Sequence, residues 1–104
     1  MIVEMRTYIF HPGGAPKFLR IYQEKGLAVQ TRILGNLLGY FTAEIGLLNQ
    51  TVHLWGYESL DDRQRRRAAL TADETWRGFL EEILPLLQSQ ENKILLPTEF
   101  SPIR

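Results

Sequence analysis

The chain has 104 residues, 44% of them hydrophobic and 23% charged, and its twelve basic residues balance twelve acidic ones. That length supports one domain with a core of its own, here read as a single domain over residues 1–104. The composition excludes a disordered, collagenous or membrane-spanning chain, and zero net charge leaves no global field to attract nucleic acid or an anionic membrane.

Cysteine is absent, which removes disulfide frameworks, cysteine-ligated zinc, iron–sulfur clusters and thiol chemistry. Glu4 and Arg6 interrupt the start of the chain before an apolar signal segment can form. Uninterrupted apolar runs such as Ile83–Leu87 reach five residues, against the ~20 that span a bilayer. The expectation is a cytoplasmic protein with no membrane insertion.

MIVEMRTYIF at residues 1–10 alternates with period 2 and is rich in β-branched and aromatic residues, so a first strand is predicted there. HPGGAP then breaks the chain, and Pro16 suits the first turn of a helix. Phe18, Tyr22, Val29 and Ile33 share the apolar face of that helix, which stops near Gly35 or Asn36. A second strand is predicted from Leu38 to Ile45, and a short turn leads to a third in TVHLWGYE. Ser59 caps a helix over Leu60–Leu70, with Asp61 and Asp62 at its positive end. Thr71 and Glu74 have capping-box spacing. They precede an amphipathic helix whose apolar stripe holds Trp76 and Phe79 as core residues, and Pro85 ends it near Leu84. A last strand is expected over Asn92–Leu96. The order β-α-β-β-α-α-β predicts an α+β, ferredoxin-like fold: one antiparallel sheet with helices on one face.

The parity of the strands assigns Val3, Met5, Ile9, Val52, Leu54 and Gly56 to the face beneath the helices. The opposite face then carries Glu4, Arg6, Tyr8, His53, Trp55 and Tyr57, with Tyr40, Thr42 and Glu44 in the same register. A surface both aromatic and ionisable suits a pocket wall or an interface. Left bare, it would be an apolar patch that monomers rarely tolerate, so two copies are expected to pair sheet to sheet.

At these residues the sequence resembles the NIPSNAP family over essentially its whole length. The resemblance lies in Glu4-x-Arg6-x-Tyr8 with Pro12-Gly13, and in Leu38-Gly39-Tyr40-Phe41 through Glu44-x-Gly46-x-Leu48-Asn49-Gln50. It continues in Val52-His53-Leu54-Trp55-x-Tyr57, Leu60, Arg63, Trp76 and Phe79. It implies a homodimeric α+β barrel in which two sheets enclose a lumen, an architecture that includes small monooxygenases. The family has no settled chemistry. Its eukaryotic members are mitochondrial and linked to vesicle transport and organelle quality control, whereas this chain resembles the single-domain prokaryotic kind.

The ligand-binding candidates are therefore Arg6, Tyr8, Glu44, His53, Trp55 and Tyr57, and binding in the lumen requires an enclosed cavity of about a few hundred Å³ or more lined by Arg6, Tyr8, His53 and Trp55. Arg6 either grips a ligand or pairs with Glu4 or Glu44, and its guanidinium can stack on the Trp55 indole. His53 is the candidate general base, although no nucleophile stands beside it in sequence. The two histidines lack the spacing of a metal site, and no cofactor motif is present. The Pro12–Gly14 loop reads as a flexible turn rather than an anion cradle, and the arginine run at residues 63–67 reads as a solvated helix face. Two functions follow. One is small-molecule binding in the lumen, including cofactor-independent catalysis; the other is a non-catalytic protein-interaction module.

Overall fold

A computed structural model describes Met1–Arg104. Strand β1 (Ile2–Phe10) leads into one long helical segment: α1 (Gly14–Ile21), a π-helical turn (Tyr22–Gly26) and α2 (Leu27–Leu34). Strands β2 (Asn36–Thr42) and β3 (Gln50–Tyr57) follow. Then come α3 (Leu60–Ala72), α4 (Glu74–Ile83), a 3-10 turn (Leu84–Leu86) and β4 (Leu87–Leu95). The sheet runs β2-β3-β1-β4 with every neighbouring pair antiparallel. This is the predicted ferredoxin-like α+β arrangement.

Several boundaries move for local reasons. β2 ends at Thr42, so Glu44 lies in the 43–49 loop rather than in a strand. Thr71 does not cap α4. Its hydroxyl donates to the Arg67 carbonyl within α3, and the carboxylate of Asp73 accepts from Trp76 N at 2.9 Å instead. β4 begins at Leu87, five residues before the predicted Asn92 start, because pairing with β1 recruits the polar run Gln88–Glu91 despite its low strand propensity. Ser59 caps α3 as expected, and Gly35 closes α2 at φ 92°. A Cβ on Gly35 would lie 2.6 Å from Arg66 Nη1, and Arg66 reaches over it to the Ile33 carbonyl at 3.2 Å.

The face assignment is reversed. Tyr8, His53, Trp55 and Tyr57 point towards the helices and join Phe18, Tyr22, Trp76, Phe79 and Ile83 in the buried core. The rings form a continuous set: Tyr8 meets Phe18 edge-on, His53 stacks on Tyr40 at 4.4 Å, and Tyr22 lies between Tyr40 and Phe79. On the opposite, helix-free face Met5 pairs with Leu54, Val3 with Gly56 and Val52 with Thr7. The reason is area. An aromatic side chain removes about 150–250 Å² from water, so the space between sheet and helices takes the rings and leaves the smaller aliphatic residues outside. Trp76 and Phe79 are core residues, as predicted.

Candidate functional site

The register places Arg6 between His53 on β3 and Asn92 on β4, one step from Glu4 and Tyr8 on the same face. Glu4 is fully buried, and a buried carboxylate must be paired. Its Oε2 accepts from Arg63 at 2.6 Å, Asn92 at 2.7 Å and Arg6 at 3.2 Å. Burial opposes ionisation of Glu4, but the Arg63 and Asn92 hydrogen bonds and the two guanidinium charges outweigh it and hold the carboxyl below its ordinary range. Arg6 also donates through Nε to the Tyr8 hydroxyl at 3.1 Å and lies over the Tyr8 ring, 5.6 Å from its centre. The predicted stacking on Trp55 is replaced by this contact, because Trp55 is engaged elsewhere.

Trp55 Nε1 donates to His53 Nδ1 at 2.7 Å. An indole nitrogen can only donate, so Nδ1 is the acceptor and the neutral ring carries its proton on Nε2. Burial first, then the charges of Arg6 and Arg67, hold the His53 pKa down to about 3, against a smaller opposing effect of Glu4. His53 thus has no free lone pair with which to act as a base; it presents an N–H. Tyr57 is buried beside Glu4, and both effects push its hydroxyl up to about 12. It stays protonated at neutral pH.

Of the six predicted ligand residues, the structure gathers Arg6, Tyr8, His53, Trp55 and Tyr57 on one face and leaves Glu44 exposed in the 43–49 loop, away from Arg6's partners. These five face the helices rather than a lumen between sheets. The expected cavity of a few hundred Å³ is not there. The space among Tyr8, Tyr22, Tyr40, His53 and Phe79 is about 10 Å³, at the lower limit for one water. The opening lies instead beside Arg6, in a polar cleft of about 190 Å³ lined by Arg6, Gln90, Glu91 and Asn92 where β4 is exposed.

Two members of the site were misread in the sequence. Arg63 and Arg67 lie four apart on α3 and share a face. Arg63 reaches Glu4, while burial and the charge of Arg6 depress Arg67. The run is solvated only in part: Arg65 is exposed, and Arg66 pairs with Asp62 at 2.9 Å. The Gly13 loop is also not free, because the Asn49 side chain accepts from Gly13 N at 3.0 Å and from Ala15 N at 3.4 Å.

A four-stranded antiparallel sheet with helices on one face defines a protein of the ferredoxin-like α+β architecture. A putative antibiotic biosynthesis monooxygenase from Nitrosomonas europaea superposes with a TM-score of 0.69 at 8% identity, covering 93% of this chain and 98% of that one, a likeness of fold alone. Within that architecture the chain belongs to the NIPSNAP family, whose profile matches residues 3–102. A NIPSNAP family protein from Agrobacterium tumefaciens is 50% identical, with a TM-score of 0.96 over 99% of this chain and 98% of its own. An uncharacterized NIPSNAP-like domain protein from Burkholderia xenovorans is 52% identical, with a TM-score of 0.94 over 97% and 88%. The human protein NipSnap homolog 2 is 31% identical over 104 residues, covering 99% of this chain but 35% of its own length. The chain thus spans about a third of that relative, and 19% of a putative NipSnap protein from Caenorhabditis elegans. No helix is long and apolar enough to cross a membrane.

Proposed function

We propose that the protein binds a small molecule at the Arg6 cluster, entered from the cleft over β4, and that it does so as a homodimer paired through the helix-free sheet faces. One observation carries the binding site: Arg6 stands where a buried set of ionisable groups meets an open polar cleft. The cleft's volume of about 190 Å³ suits a compact molecule or the polar head of a larger one. A lumen between two paired sheets would be walled by Met5, Val52 and Leu54, which makes it an apolar contact rather than a polar pocket. His53 serves this reading as a hydrogen-bond donor, so the geometry supports binding ahead of cofactor-independent, monooxygenase-like turnover.

A non-catalytic interaction module is the second reading, favoured by the β2–β3 loop, where Ile45 is 93% exposed and Leu47 and Leu48 are also exposed. Native mass spectrometry of the chain, incubated with a metabolite extract, separates the two. The binding reading expects one adduct per chain, weakened about tenfold or more by Arg6→Lys, which keeps the charge but loses the fork. No adduct from any fraction, or one indifferent to Arg6→Lys, would sink it in favour of the interaction module.

A further inference from the structure

Resting on the binding reading above, we infer that the Arg6 cluster is an anion site, and that the ligand presents a carboxylate or phosphate group to Arg6, Arg63, Arg67, His53 and Tyr57. Three guanidinium groups surround a single buried carboxylate, Glu4. Arg6 and Arg63 are paired with it; the Arg67 guanidinium makes no hydrogen bond or ion pair, although its Nη1 is buried. Arg67 is half-buried, and a cation turned inward without a counter-charge is unfavourable.

The unpartnered polar atoms point the same way. His53 Nε2, Tyr57 Oη, Arg63 Nε and Arg67 Nη1 are all buried without a partner, and His53 and Tyr57 are each at least nine-tenths buried. All four can donate, His53 because its tautomer is fixed by Trp55. Glu4 Oε1 is the one unpartnered acceptor among these groups. Four donors and two uncompensated positive charges against one acceptor select an acceptor-rich, negatively charged group. His53 and Tyr57 lie on the same face of β3, with Arg6 directly opposite His53 on β1. Glu91 on the rim of the cleft is exposed and pairs on the opposite pleat, so it does not supply the missing charge.

The test uses the folded chain and two probes, inorganic phosphate and benzoate, titrated against chloride at constant ionic strength while thermal unfolding is followed. At about one hundred times its dissociation constant, a bound anion should raise the midpoint by about 10 °C, and the rise should saturate. Arg67→Gln should abolish the saturable rise while leaving the anion-free midpoint unchanged or higher, because it removes a cation with no partner in the chain. A rise with one probe and not the other identifies the phosphate or the carboxylate as the group recognised. No saturable rise with either probe, or a rise that persists in Arg67→Gln, overturns the inference. A neutral adduct that is weakened by Arg6→Lys in the same protein would then show that the binding reading stands without the anion.

Discussion

Replacing His53 with Gln should remove an acid-sensitivity built into the core. The imidazole is held neutral with a pKa of about 3, against 6.5 for the unperturbed group. In the unfolded chain it regains a proton as pH falls through 6.5, while the folded chain does not, so unfolding takes up a proton and stability falls with pH across the window from 6.5 down to 3. At 1.36 kcal/mol per pH unit the full effect is about 4–5 kcal/mol, of which about 2 kcal/mol is lost between pH 7 and pH 5. That is a large part of the ~5–15 kcal/mol by which domains are stable. Glu4 acts with the same sign but later: its carboxyl lies below the unfolded value of 4.5, so its contribution is lost only as pH falls below that value. The interval from pH 7 to pH 5 therefore isolates the histidine. Gln keeps an acceptor for the Trp55 N–H and cannot titrate. Urea unfolding followed by tryptophan fluorescence at pH 7, 6 and 5 should show a falling midpoint in the wild type and a nearly flat one in His53→Gln. Equal slopes in both would mean that His53 is not held neutral, and the role of its Nδ1 as acceptor of the Trp55 N–H would fall with it.

Two further outcomes follow from the same structure. Asn49→Gly should cost about 1 kcal/mol by removing the cap over Gly13 and Ala15, and Asn49→Ala should cost more, because Asn49 sits at φ 58°, where a Cβ is strained; denaturant midpoints of the pair separate cap from strain. Sedimentation equilibrium at micromolar concentration should find a dimer, and Leu54→Asp on the helix-free face should dissociate it without loss of helical circular dichroism; a wild-type monomer would refute the pairing.

The fold was legible because its signals are local. Alternation in β1, the Ser59 cap, Gly35 and Pro85 each act within a few residues, and together they fix the element order. The direction of the sheet was not legible, because both parities of β1 are apolar enough to be covered. The parity reading put Glu4 and Arg6 on the helix-free face, as part of a pocket wall or interface, whereas partners distant in sequence let them be buried beneath the helices: Asn92 lies 88 residues from Glu4, and Arg63 lies 59. Asn49 escaped for the same reason, since its cap is 36 residues from Gly13.

The arginine run shows how a neutral composition can conceal a concentrated charge. On α3, residues 63 and 67 face the sheet and residue 65 faces water, so one run is divided between two environments by helical geometry alone. A solvated arginine needs no partner. Once Arg63 is placed on Glu4, helical spacing brings Arg67 inward as well, and there the chain provides no second carboxylate. Fold stability alone would favour an apolar residue at position 67. The proposed anion site accounts for a cation kept there against that preference, since residues that destabilise the free protein concentrate where function needs them.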